Sequence, residues 1–368
     1  MKKIIVRHHM LNATLMGLGG SHYVMLETAI AFAKKGYEVF IDSININSPC
    51  KLRRLAEFFG LNVEEISGLG LGEPETGPSL VINTSGDVLS GTGDVIYLHY
   101  PSFLDHEIYY PGLHGFYQVL GKMYSFINTV FFPFLLHRIK MYLANSSFTA
   151  EFFKKYFNIS PIVIHPPVNI DDILLSKPLD KHEREQYVLT VMRISPEKRP
   201  DMIIRLAKLI KCHNLKYKLI VVGSLSNYNK SLYKEILEYV MKDDLNDIVE
   251  IKTNIPRHEL IELYRKAMLY IHLTPREHFG ISIVEAMASG TPALVPIESG
   301  SWIDISKQDP NVSIPYNSLE EAVHMIKKIM DDDILWKKLS ENSLKRAKEL
   351  SRRAFHEKIY SALKHLLV

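Results

Sequence analysis

"LYIHLTPREHFGISIVEAMASGTPALVPI" (residues 269–297) divides into three parts. A short β-prone run, "LYIHL", comes first, and the chain then turns through Thr-Pro-Arg. An apolar helix is expected from about Phe279–Gly280, and "PALVPI" reads as a second strand. Strand, helix, strand in that order is the repeat of a parallel sheet. The segment also carries two carboxylates, Glu277 and Glu285, eight positions apart. Ser282, Glu285 and Ser289 fall at i, i+3 and i+7 and make one narrow polar stripe on an otherwise apolar helix. That stripe suits solvent, with Glu277 complementing the helix dipole, and it equally suits a ligand. An ionised Glu285 in such apolar company needs specific donors. The first N–H groups of the helix, from His278 and Phe279 through Gly280 to Ile281, have no partner inside the helix and form a potential anion site.

The same alternation runs outward in both directions. In the first half the strand candidates are "KIIV", "YEVFID", "LVIN", "DVIYLHY", "KMYLAN" and "PIVIHPP". Between the first two lies "SHYVMLETAIAFAKKG", with Ser21 as the expected N-cap and Gly36 as the stop. After "HPPVNIDD" a polar stretch without periodicity intervenes, and then "YVLTVMR", "KLIVVG", "IVEIKT", "LYIHL" and "PALVPI" follow. Helices are expected near Pro200, Lys230, Pro256 and Gly280, and the tail from Ser318 is helical throughout. The expected architecture is α/β, with two doubly wound Rossmann-like halves. The boundaries are 1–170, a linker at 171–186, a second domain at 187–350 and a terminal helical segment at 351–368.

Ligands in such sheets bind beyond the carboxyl ends of the strands, so the residues there are the candidates. "VMRISPEKRP" places Arg193 at a strand end and Lys198 five residues on, two cations that suit a phosphate or diphosphate as well as a plain charged loop. Gly223 ends the next strand, where backbone can approach a ligand. "DVIYLHYP" ends on His99, which fits either a sugar-contacting or a core histidine. "GLGG" (residues 17–20) precedes a helix, and Gly19 and Gly20 serve equally an anion or a tight turn; the dinucleotide-binding spacing is absent.

Composition narrows the classes. The 368 residues are 46% hydrophobic and 23% charged, with a net charge of +3, too small to imply a nucleic-acid partner. Two cysteines far apart, Cys50 and Cys212, exclude a disulfide scaffold and a cysteine zinc site and suggest a reducing compartment. "MKKIIVRHH" reads as a first strand rather than a signal peptide. "MYSFINTVFFPFLL" (residues 123–136) is uncharged and aromatic, shorter than the ~20 residues of a spanning helix and interrupted by Pro133. A core helix pair and a surface that dips into a membrane or receives a lipid both remain open for it. Asp331–Asp333 is the one obvious acidic run, and a solvated turn explains it better than a metal.

Taken together, these motifs resemble one family. "REHFGISIVEAMASGTP" looks like the E-x7-E segment of the retaining glycosyltransferases of family four, "RISPEKRPDMII" like their diphosphate-binding Arg and Lys, and "GLGGSHYVMLETAIAFAKKGYEV" like their glycine loop and first helix. "YLANSSFTAEFFKKYF" and "VIHPPVNI" are similar to the last strands of their N-terminal domain. "LHYPSF", "ANSSFT", "IHPPVN" and "EHFGISIVEAMA" most resemble the dolichol-pathway α-1,2-mannosyltransferase subgroup. Two departures are visible: Met192 stands where glycine usually precedes the arginine, and Tyr97 replaces the first histidine of an H-x-H.

The resemblance implies the GT-B fold, two Rossmann-like domains facing across a cleft with the terminal helix crossing back to the first. It implies a metal-independent retaining transfer of a hexose, mannose favoured and glucose allowed, from a GDP- or UDP-linked donor to a glycan or lipid-linked glycan, with no cofactor. Glu285 would accept from the ribose and Glu277 would lie by the sugar. Arg193 and Lys198 would neutralise the diphosphate, and the N–H groups of Phe279, Gly280 and Ile281 would reach sugar and phosphate. His99 would touch the sugar, and Gly19 and Gly20 would make room beside the diphosphate. The expected location is cytoplasmic, with peripheral contact at the membrane face left open. A catalytically silent binding subunit and a sugar-nucleotide epimerase are the rival readings.

Overall fold

The computed structural model describes residues 3–9, 19–86, 93–101 and 139–367, together with 119, 122–123, 126–127, 130–131, 133–134 and 136. The chain divides into two compact units, Met1–Asn169 with Ser351–Val368, and Ile170–Leu350.

Among the described residues the first unit holds a seven-stranded sheet, all parallel, in the order β3-β2-β1-β4-β5-β6-β7. The strands are β1 (Lys3–Arg7), β2 (Val39–Asp42), β3 (Gly70–Leu71), β4 (Ser79–Asn83), β5 (Val95–Leu98), β6 (Met141–Ala144) and β7 (Ile162–Val163). β1 lies inside the sheet, and its Ile4, Ile5 and Val6 are buried on both faces, as a central parallel strand requires. The helix Gly20–Ala33 is buried from His22 to Phe32, which explains why it is apolar nearly all round. One carboxylate lies inside it. Glu27 is fully buried and receives Arg352 at 2.9 Å and His356 at 2.6 Å from the helix Arg352–Leu363. That helix also inserts Phe355, Ile359 and Leu363, at i, i+4 and i+8, into the core of the first unit.

The second unit has a six-stranded parallel sheet among the described residues, ordered β10-β9-β8-β11-β12-β13. Its strands are β8 (Glu185–Arg193), β9 (Lys218–Ser224), β10 (Val249–Thr253), β11 (Ala267–Ile271), β12 (Ala293–Pro296) and β13 (Ile314–Tyr316). Helices Asp201–Cys212, Lys230–Lys242, Arg257–Lys266, Ile281–Ala288, Leu319–Asp331 and Asp333–Lys348 cover it. The sheet changes direction of growth between β8 and β11, so the carboxyl ends of those two strands flank the topological switch point.

Residues 171–186, read from sequence as a linker, are ordered within the second unit, and β8 already begins at Glu185. Arg184 explains the order. Its buried guanidinium donates to the carbonyls of Leu179, Ala267, Ser289 and Gly290 and to the Thr291 hydroxyl, and it lies 5.0 Å from the Trp336 ring. A polar, aperiodic stretch therefore conceals one anchoring side chain whose donors are satisfied by four backbone carbonyls and one hydroxyl. Tyr97, standing where the family has histidine, is a core residue whose hydroxyl donates to the Ile164 carbonyl at 2.6 Å.

Candidate active site

Because β8 and β11 are parallel neighbours, the residues leaving their carboxyl ends meet. From β8 the chain runs through Arg193 and a tight turn, Pro196–Lys198. From β11 it runs through His272 to Glu277 and into the helix Ile281–Ala288. Lys198 Nζ donates to Glu277 Oε2 at 2.6 Å, and the same oxygen lies 3.1 Å from His272 Nε2. The backbone N–H of His278 donates to the other oxygen, Oε1, at 3.1 Å. Burial would raise the Glu277 pKa, yet Lys198 and His272, with His278, hold its carboxyl well below the usual range. Glu277 is thus an ionised, fully engaged carboxylate with a cation in direct contact.

The loop that carries it is fixed from below by backbone. The Gly300 N–H donates to the Glu277 carbonyl at 2.7 Å, and a Cβ at position 300 would lie 1.9 Å from the His278 carbonyl oxygen. Only glycine allows that approach. At the other end of the loop Gly280 precedes the helix with φ +104, again a glycine conformation. Phe279 is buried.

The polar stripe on the helix does not face solvent. Ser282 shares a 2.8 Å hydrogen bond with the Tyr270 hydroxyl, and Ser289 is 2% exposed. Glu285, 8% exposed, accepts from the Tyr264 hydroxyl at 3.0 Å and from Arg257 Nη1. Arg257 is in turn held by Asp172 through two hydrogen bonds of 3.0 and 3.1 Å. Burial would lower the Arg257 pKa, but Glu285 and Asp172 reverse this and raise it.

The structure therefore brings Lys198, Glu277 and His278 together and sets Glu285 in a neighbouring network on the same helix. Arg193 leaves the adjoining strand end and pairs with Glu197 at 3.6 Å. Gly223 has a packing explanation, since Ile194 side-chain atoms come within 2.5 Å of where its Cβ would be. In the first unit, His99 Nε2 lies 3.1 Å from the Thr84 carbonyl, and its ring rests on Gly86. Burial first, with His22 adding to it, pushes the His99 pKa down to about 4. Gly19 and Gly20 open the helix Gly20–Ala33, while Gly17 and Leu18 of the same loop lie outside the described residues. Among the described residues no group of three or more His, Cys, Asp or Glu side chains is arranged to hold a metal ion. Asp332 caps the helix Asp333–Lys348 and Asp333 pairs with Lys181.

Sequence reading missed His272, Arg257, Asp172 and Tyr264. His272 was within reach, because it follows β11 directly at a strand end. Arg257 and Tyr264 become visible only when helix Arg257–Lys266 packs beside helix Ile281–Ala288, and Asp172 only when the turn Ile173–Leu175 packs there too.

The two Rossmann-like units give a fold that solved structures share. Sucrose-phosphate synthase from Thermosynechococcus elongatus superposes with a TM-score of 0.71 at 16% identity, covering 100% of this chain and 99% of that one. Anabaena Alr3699/HepE in complex with UDP-glucose does so with a TM-score of 0.70 at 16% identity, covering 99% and 100%. The fold is GT-B. Residues 171–346 match the family model of the glycosyl transferases group 1, and the chain carries a domain of that family.

Among curated relatives, the GDP-Man:Man(3)GlcNAc(2)-PP-Dol alpha-1,2-mannosyltransferase of Xenopus tropicalis is 34% identical over 149 residues, 39% of this chain and 30% of that protein. The O-antigen chain mannosyltransferase RfbU of Salmonella typhimurium is 33% identical over 178 residues, 46% of this chain and 47% of that protein. The matches thus span less than half the length of these two relatives.

Proposed function

We propose that the chain is a retaining glycosyltransferase that moves a hexose, mannose in the first instance, from a GDP- or UDP-linked donor to a glycan or lipid-linked glycan. The observation that carries this reading is the Lys198–Glu277 contact at the paired ends of β8 and β11, inside a group 1 glycosyltransferase domain. In the absence of donor, Glu277 serves as the counter-ion of Lys198. When a diphosphate arrives, Lys198 turns to it, joined by Arg193, and the two cations stabilise charge as it grows on the leaving group. Glu277, held by His272 and the His278 N–H, then faces the hydroxyls of the sugar, and Glu285 accepts from the ribose. The N–H groups of Phe279, Gly280 and Ile281 add donors at the helix start.

No metal is needed in this scheme, because the fixed cations supply the charge. Retention follows from front-face attack, with the departing phosphate taking the proton of the acceptor hydroxyl. Catalysis is then mainly positioning and electrostatics. His99, Gly19 and Gly20 enter by family resemblance, His99 touching the sugar as a neutral imidazole and the glycines leaving room for the diphosphate.

A lipid-linked acceptor, met at the cytoplasmic face of a membrane, is favoured by one surface feature. Val119, Met123, Phe126, Val130, Phe131 and Phe134 are all at least 40% exposed and recur at helical spacing. The contact in this reading is peripheral; no helix among the described residues is long and apolar enough to cross a membrane.

A panel of nucleotide sugars tests the reading. GDP-mannose is expected to raise the melting temperature above any rise from its parent nucleoside, and donor hydrolysis is expected at high enzyme concentration. Binding with no hydrolysis above background would support a silent binding subunit. Interconversion of donor sugars without acceptor, seen by NMR, would support an epimerase. The anomeric configuration of the product decides retention.

A further inference from the structure

Arg257 opens the helix Arg257–Lys266, and its guanidinium is clasped from two sides. Nε and Nη2 donate to the two oxygens of Asp172 at 3.0 and 3.1 Å, the parallel fork that only arginine can make. Nη1 donates to Oε1 of Glu285, while the Tyr264 hydroxyl donates to Oε2. Asp172 is itself fixed, since Oδ1 also accepts from the backbone N–H of Ile173 at 2.9 Å. The carboxylate of Glu285 is therefore locked in rotation, with one partner on each oxygen. A carboxylate oxygen accepts two hydrogen bonds, so each keeps one further acceptor site.

A vicinal diol offers two O–H donors at a spacing that suits the two oxygens of one carboxylate. We propose that Arg257, held by Asp172, is the positioning residue through which Glu285 reads the ribose diol of the nucleotide. The inference rests on the ribose role proposed above for Glu285 and adds the device that makes the role work. Arg257, with Tyr264 on the other oxygen, fixes the plane of the carboxylate and so the direction of its two remaining acceptor sites.

The test is calorimetric binding of GDP and UDP, each against its 2′,3′-dideoxy counterpart. It uses the full chain and the variants Glu285→Gln, Arg257→Lys and Asp172→Asn. Circular dichroism confirms that each variant folds. The wild type is expected to prefer the ribose form of whichever diphosphate it binds by about tenfold or more, as hydrogen bonds to a charged group allow. Glu285→Gln removes most of that preference. Arg257→Lys and Asp172→Asn, which touch no ligand in this scheme, reduce it to below about threefold and leave affinity for the dideoxy form within about twofold.

Two outcomes overturn the role of Arg257 while leaving Glu285 on the ribose. In one, ribose and dideoxy forms weaken in equal proportion in these two variants. In the other, the ribose form tightens, which would make Arg257 a competitor of the diol. A wild type that binds neither diphosphate, or a Glu285→Gln variant with its preference intact, overturns the ribose reading and this inference with it.

Discussion

Lys198 and Glu277 each neutralise the other, and the proposed reaction requires that partnership to be exchanged. Glu277→Gln keeps the shape and the contact with the His278 N–H but removes the counter-charge. Turnover of the nucleotide-sugar donor is expected to fall by roughly 10²–10³-fold, the loss typical of an electrostatic contact made at the reacting centre. Steady-state kinetics with the melting temperature as control would check it, and turnover within threefold of wild type would remove Glu277 from the mechanism. Glu285 and His99 separate binding from chemistry. Glu285→Ala is expected to weaken nucleotide binding by about tenfold or more. His99→Ala is expected to lower turnover by about 10²-fold with donor affinity little changed. Unchanged nucleotide affinity in the Glu285 variant would contradict the ribose assignment.

At the scale of the element, the sequence disclosed what periodicity and composition can carry. The strands around "KIIV", "YVLTVMR" and "LYIHL", and the helix beginning at Gly280, are found where the apolar patterns placed them. The two-residue β3 and three-residue β13 escaped, because "GLGLG" and "SIPYN" carry no β-branched run to detect, whereas the equally short β7 is marked by "PIVIHPP". Glu277 and Lys198 were legible as strand-end charges, but their direct contact was not, since it depends on β8 and β11 being sheet neighbours although 73 positions separate Arg193 from Lys266. Arg257 was hidden for a different reason: a charged residue at a helix start normally faces water, and only packing reveals a buried acidic partner. Gly300 was likewise silent in "IESGS", yet it governs the Glu277 loop. Gly300→Ala puts a methyl group against the His278 carbonyl and forces the loop aside, at a cost of about 1–3 kcal/mol. A drop of several degrees in melting temperature is expected, together with loss of donor binding. Retention of both would show that the loop has room to spare.

At the scale of the whole molecule, two features of the first unit bear on its stability. One is its response to acid. His8 is fully buried and its pKa is held well below 6.5, by burial first and then by His22 and His99, while His99 itself is pushed down to about 4. Both rings are neutral in the fold and take protons on unfolding. Stability is therefore complete above the unfolded value near 6.5 and declines as pH falls toward 4, by at most about 1.4 kcal/mol per pH unit for each ring. His8→Asn, whose amide can still donate to Thr84, should flatten that decline in urea titrations between pH 7 and 5.

The other feature is the chain's return. Phe355, Ile359 and Leu363 each contribute about 1.5–3 kcal/mol on burial, so the terminal helix supplies roughly 5–9 kcal/mol to the first unit. That is comparable to the entire 5–15 kcal/mol by which a domain is usually stable. Its removal also leaves Glu27 buried without Arg352 or His356, a further penalty for an unpaired charge. Deleting residues 351–368 should therefore unfold the first unit while the second, whose core draws nothing from that segment, stays folded. Hydrogen exchange read by mass spectrometry separates the two: amides of β1, β4 and β5 should lose protection, and those of β8, β9 and β11 should keep it. Protection retained in β1 would mean that the sheet and the helix Gly20–Ala33 hold the first unit without the segment that the chain brings back to it.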